Sequence, residues 1–92
     1  KFPVVTRDLA LIVEESMECG TLTAEIKRAC KAVENVELFD IYRGEQVGEG
    51  KKSMAFKLTF VPGDKAFSPK DIESFMKKIQ SNLKYKLNVD MR

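Results

Sequence analysis

The chain has 92 residues, 43% hydrophobic and 33% charged, enough for one small domain with one core. Its net charge of +2 excludes an indiscriminate polyanion binder but leaves room for a protein that reads a few bases. There is no histidine, Cys19 and Cys30 have no CxxC or Cys/His companion, and no apolar run is long enough for a membrane span. A zinc or iron–sulfur centre, a histidine base and a transmembrane protein are thereby disfavoured together.

The first apolar segment is Val4–Val13, where Leu9, Ala10, Leu11, Ile12 and Val13 run without interruption. A short continuous apolar run predicts a buried central strand. Gly20 breaks the pattern. From there Leu22, Ile26, Ala29, Cys30 and Val33 fall at helical spacing, with Thr21 or Thr23 as the cap and Asn35 as the stop. Val36–Arg43 is rich in β-branched and aromatic residues and predicts a strand. Gly44, Gly48 and Gly50 punctuate a polar loop, read as a hairpin connection because it lacks the Lys-Ser/Thr ending of a phosphate-binding loop. Met54–Val61 alternates as a half-exposed strand.

Pro62-Gly63-Asp64 is turn chemistry. Ser68 then caps a helix with Pro69 at its first position and Asp71 three residues on, a capping-box variant. Ile72, Phe75, Met76, Ile79 and Leu83 continue it. Asn88 suits the left-handed helix end, and Val89-Asp90-Met91 supplies a last short strand. Lys77, Lys78, Lys84 and Lys86 read as a solvated face of this helix.

The order strand, helix, strand, strand, helix, strand predicts an α+β, ferredoxin-like β-α-β-β-α-β domain. Four strands form an antiparallel sheet with two helices on one face. The other face is left bare for function. In the third strand Met54, Phe56, Leu58 and Phe60 take the core side, so Ser53, Ala55, Lys57 and Thr59 point to the open side. In the second strand an ionised Asp40 does not belong in an apolar core. Phe39 and Ile41 are therefore placed inward, and Leu38, Asp40 and Tyr42 outward. Pairing of the two strands gathers Asp40, Tyr42 and Ser53 on one patch, with Lys57 and Arg43 at its rim. A tyrosine ring offers a stacking surface, a carboxylate matches the N1–H and N2–H₂ donors of guanine, and a hydroxyl serves a neighbouring base atom.

At these residues the sequence also resembles a known family, the ferredoxin-fold anticodon-binding domain that closes the β subunit of bacterial phenylalanyl-tRNA synthetases. The matching pieces are Phe2-Pro3, Arg7-Asp8-Leu9-Ala10, Phe39-Asp40-Ile41-Tyr42-Arg43-Gly44, Lys52-Ser53-Met54-Ala55, the strand Phe56–Phe60 and the terminal Arg92. Ala66-Phe67-Ser68 stands where the family often has Thr-Leu-Thr, and Asn88 where it often has Gly.

The resemblance implies a module that grips the anticodon stem-loop of phenylalanine tRNA. The first anticodon base, a guanine, stacks on Tyr42 and is hydrogen-bonded by Asp40 and Ser53. It also implies a cytoplasmic ligase as parent, with ATP and Mg there and no cofactor in this domain. The implied partners are that tRNA, the remainder of the β subunit and the α subunit, with no membrane. Residues 1–92 are accordingly expected to form a single anticodon-binding domain, a fragment of a longer β subunit, as the start at Lys1 rather than Met also suggests.

The RNA-binding set is thus Asp40, Tyr42, Ser53, Arg43, Lys57 and Arg7, where Arg7 is either a phosphate contact or half of a salt bridge. An RNA-recognition-motif-like binder of single-stranded RNA shares the element order and is the alternative; it requires Phe56 on the open face. An acyl-phosphate hydrolase of the same fold needs an early anion loop with arginine and asparagine, which acidic Glu14–Gly20 lacks. A ligand-sensing regulatory domain has no positive feature.

Overall fold

The computed structural model describes residues 2–91, with Met91 described for its backbone alone. The match at Arg92 therefore lies outside the described residues. The elements follow as β1 (Val5–Glu14), α1 (Cys19–Ala29), β2 (Val33–Tyr42), β3 (Lys51–Phe60), α2 (Pro69–Leu87) and β4 (Asp90–Met91). The strands pair antiparallel in the spatial order β2-β3-β1-β4. With both helices sharing one core beneath it, the sheet gives the ferredoxin-like arrangement. It rests on three ten-residue strands. The last strand expected at Val89-Asp90-Met91 shrinks to a two-residue pairing of Asp90 and Met91 with Ile12 and Leu11, while Val89 turns into the core at 2% exposure.

The central position of β1 and β3 follows from their side chains. Leu9, Leu11 and Val13 of β1 lie opposite Phe56, Met54 and Lys52 of β3. The apolar members of these pairs face Leu22, Ile26 and Ala29 of α1 and Ile72, Ile79 and Leu83 of α2 across the core. Phe60 stacks on Phe75 with ring centroids 5.6 Å apart, and Phe67 meets Phe75 edge-on at 5.2 Å. Burying a side chain of this size contributes about 1.5–3 kcal/mol.

α1 differs from its expectation at both ends. It starts at Cys19, so Gly20 lies inside its first turn, and its cap position Glu18 makes no side-chain cap hydrogen bond. Thr23 bonds back to the Gly20 carbonyl instead of capping. The helix stops at Ala29 because Cys30 takes extended backbone and Val33 pairs with Phe60 in the sheet. Sheet pairing of a β-branched residue thereby overrides the helical spacing that had included it. Cys30 is buried and Cys19 half-buried, both as free thiols.

α2 begins as expected. Ser68 Oγ accepts from Asp71 N–H at 3.1 Å, and Ser68 N–H donates to the Asp71 carboxylate at 2.9 Å. It ends on Asn88 in the left-handed conformation (φ 54°, ψ 40°), whose N–H bonds back to Lys84.

Candidate functional site

Position along β2 decides what the open face presents. The register pairs Leu38 with Phe56 but Asp40 with Ala55, so one extra residue, Phe39, is inserted at a β-bulge. Parity reverses across it. Leu38 packs against the core beside Phe56, and Phe39 stands 52% exposed. This corrects the inward placement of Phe39 and the outward placement of Leu38: strict alternation fails wherever a bulge adds a residue. Ile41 keeps the helix-side register opposite Met54. It remains exposed, near the end of β2, which is the edge strand of the sheet.

Beyond the bulge, Asp40 lies opposite Ala55 and Tyr42 opposite Ser53, all on the face away from the helices. The rows continue into β1: Ala55 pairs with Ala10, and Ser53 with Ile12. Side chains directly opposite approach to about 5 Å and diagonal ones to about 7–8 Å. Asp40, Tyr42 and Ser53 therefore fall within the span of one base. Ala55 and Ala10 form a low floor beside them. Ser53 is only 3% exposed, since it is a small side chain flanked by the larger Tyr42 and Ile12. It belongs to the bottom of the patch rather than to an exposed rim.

Tyr42 leans toward the hairpin loop. A Cβ built on Gly44 would stand 2.9 Å from the Tyr42 hydroxyl oxygen and 3.2 Å from Cζ, so the ring tip lies directly against the glycine backbone. The intervening Arg43 is engaged elsewhere. Its Nε donates to both Glu15 carboxylate oxygens at 2.9 Å, and its Nη2 donates to one of them at 2.6 Å. These hydrogen bonds, then the Arg43 and Lys52 charges, hold the Glu15 carboxyl below its ordinary range against a desolvation effect of opposite sign. Glu15 likewise raises the Arg43 guanidinium.

The remaining expected residues are less central. Lys57 sits on the open face between Glu37 of β2 and Asp8 of β1, so both of its cross-strand neighbours are acidic. Arg7 lies opposite Leu58 on the helix side of the sheet, away from Asp40 and Tyr42, and donates to the Thr6 carbonyl at 2.8 Å. A depression of about 480 Å³ occurs at the opposite edge, lined by Gln80, Lys84, Tyr85 and Asp90. There Lys84 bonds Asp90 at 2.9 Å and lowers its carboxyl. This hollow is not where the ring and carboxylate meet; a base stacks on a flat surface and needs no cavity. Phe56, which the alternative single-stranded RNA binder needs outside, is fully buried.

The Glu15–Arg43 pair and the contact of Gly44 with Tyr42 escaped the sequence reading. Glu15 is 28 positions from Arg43 and carries no local signal of the pair. Gly44 stands inside the Phe-Asp-x-Tyr-Arg-Gly piece, but only the packed ring shows why a side chain is excluded there.

The family model described as ferredoxin-fold anticodon binding domain matches residues 1–92. Among curated proteins, the chain is 37% identical over its full length to a phenylalanine–tRNA ligase beta subunit of Clostridium acetobutylicum, covering 12% of that protein. It is 38% identical over 99% of its length to the same subunit of Carboxydothermus hydrogenoformans, again covering 12%. Against that of Bifidobacterium longum it is 44% identical over 85% of its length, covering 9%. The chain thus spans about a tenth of the length of these relatives.

Proposed function

The chain belongs to the ferredoxin-fold anticodon binding domain family, and from that premise we propose that it binds the anticodon stem-loop of phenylalanine tRNA and reads the first anticodon base. The observation that supports this reading is the placing of Asp40, Tyr42 and Ser53 around the low floor of Ala55 and Ala10 on the helix-free face. A guanine stacks on the Tyr42 ring and turns its N1–H and N2–H₂ donors to the Asp40 carboxylate. Adenine has no such donor pair, so the carboxylate discriminates between the two purines. Ser53 is only 3% exposed at the bottom of the patch, so its share is smaller than that of Asp40.

Lys57, at the rim, supplies attraction that weakens with salt. Arg43, committed to Glu15, and Arg7, on the helix side, stand outside the base-reading group. In this reading the longer protein joins phenylalanine to the tRNA, working with the rest of its β subunit and with an α subunit. On the same reading ATP and Mg belong to the remainder of that protein; among the described residues no cluster of three or more His, Cys, Asp or Glu stands together for a metal ion. Among the described residues no helix is long and apolar enough to cross a membrane.

The test uses the full-length protein and stem-loops carrying guanine or adenine at the first anticodon position. Tyr42→Ala is expected to weaken guanine-loop binding by roughly 5- to 150-fold, the loss of about 1–3 kcal/mol of stacking. Asp40→Asn should abolish most of the preference for guanine. Equal affinity of the unaltered protein for both loops would discard the reading.

A further inference from the structure

We propose that Glu15 is a positioning residue for the base-reading patch, acting by clamping both roots of the 43–50 loop to the end of β1. The inference rests on the reading of Asp40 and Tyr42 given above. One root is gripped by the Glu15 carboxylate, which accepts three hydrogen bonds from Arg43, the residue after Tyr42. The other root is gripped by the Glu15 backbone, whose N–H donates to the Gly50 carbonyl at 2.9 Å. Glu14 adds a looser ion pair to Lys51 at 3.9 Å.

The loop needs such a clamp. Gly48 and Gly50 have positive φ (96° and 74°), and Gly44 carries no side chain to fix the turn, so an untied segment of this composition would sample many conformations. Tied at both ends, it closes on Val47, which is buried, through the turn bonds Val47 N–H to Gly44 O and Gly48 N–H to Glu45 O. Gly44 is in turn the surface against which the Tyr42 ring rests. A displacement of Arg43 therefore passes through one residue on either side, to the ring and to the loop. Glu15 itself lies beyond the patch and need touch no RNA. Its effect is to present the tyrosine already ordered, so that less freedom is lost when a base arrives.

The experiment compares the unaltered full-length protein with Glu15→Gln, Tyr42→Ala and the charge-swapped pair Glu15→Arg with Arg43→Glu. Binding of the guanine and adenine stem-loops is titrated, and amide exchange across 43–50 is followed by mass spectrometry. Glu15→Gln is expected to weaken guanine-loop binding by roughly 3- to 10-fold, the ordering cost of one side chain. It should also speed exchange in the loop while leaving exchange in α1 and α2 unchanged. The swapped pair should recover most of both. Unchanged affinity and exchange in Glu15→Gln, alongside a clear loss in Tyr42→Ala, overturns the clamp and leaves the functional reading standing. Loss in Glu15→Gln with no recovery in the swapped pair makes Arg43 a direct RNA contact and also overturns it. No loss in Tyr42→Ala removes the functional reading and the clamp with it.

Discussion

Adding a single methyl group at Gly44 separates ring placement from folding. The φ of Gly44 is not positive, so alanine there carries no backbone strain. Its Cβ would instead stand 2.9 Å from the Tyr42 hydroxyl oxygen, 3.2 Å from Cζ and 3.4 Å from Cε2. Comfortable non-bonded separations are about 3.5–4.0 Å, so the ring tip must retreat by roughly half an ångström or more. The tip is the far end of a long side chain on an exposed face and yields by a small turn within its rotamer well, at little cost to folding. Glycine-to-alanine also narrows the unfolded ensemble, worth about 0.4–1 kcal/mol in favour of the folded state. Gly44→Ala should therefore leave the stability of the chain unchanged or slightly raised. Recognition tolerates misplacement of only about 0.5 Å, so the same variant should bind the guanine stem-loop roughly 3- to 10-fold more weakly, less than the loss in Tyr42→Ala. Fluorescence anisotropy with a labelled stem-loop, together with urea unfolding, measures the two quantities. Undiminished binding would refute the role given to the ring–glycine contact. Binding loss accompanied by destabilisation of more than about 1 kcal/mol would place the damage in the backbone instead.

Two further outcomes test the scaffold. Ser68→Ala removes one of the two capping-box hydrogen bonds of α2 and should cost about 1 kcal/mol, seen as a melting temperature lower by roughly 4–8 °C. A melting temperature unchanged within error would mean that the cap contributes nothing. Acid should act through Glu15, whose folded carboxyl lies below its ordinary value of 4.5. Above 4.5 the pair with Arg43 is fully present, and its stabilisation is lost as pH falls through the lower, folded value. Glu15→Gln should accordingly lose less stability on acidification than the unaltered chain, and added salt should narrow the gap because the pair is exposed. Parallel melting curves across that acid range would contradict this.

The parts legible in the sequence were those decided by neighbouring residues. The α2 start is written in Ser68, Pro69 and Asp71, and its end in Asn88, because caps act over three or four positions. The core face of β3 follows from unbroken alternation at Met54, Phe56, Leu58 and Phe60. What alternation could not show was the point where it breaks. Placing Asp40 and Tyr42 on the open face came from the cost of burying a carboxylate, which holds on either side of a bulge. Placing Phe39 and Leu38 came from counting by twos, which does not. The end of α1 failed for a related reason: Val33 fits the helical period and the sheet equally well, and only its partner Phe60 decides. The Glu15–Arg43 pair depends on how β1 and the hairpin lie side by side, which no local pattern encodes.

The charges across the open face bear on how such a surface could work. Glu37, Lys57 and Asp8 stand in one row, so the middle of the sheet offers a polyanion no sustained attraction. On the proposed reading, contact energy comes instead from one stacked base and one matched donor pair, about 1–3 kcal/mol for the stacking part. Alone, that amount falls short of the roughly 8 kcal/mol that a micromolar complex requires. Tethering changes the outcome. When the rest of a longer protein holds the same tRNA, the second contact becomes intramolecular and its effective concentration rises to the millimolar range for a short linker. A patch too weak to capture RNA by itself then suffices to discriminate guanine from adenine. On this reading its specificity resides in Asp40 and Tyr42, and the net charge of +2 is no obstacle to that proposed role.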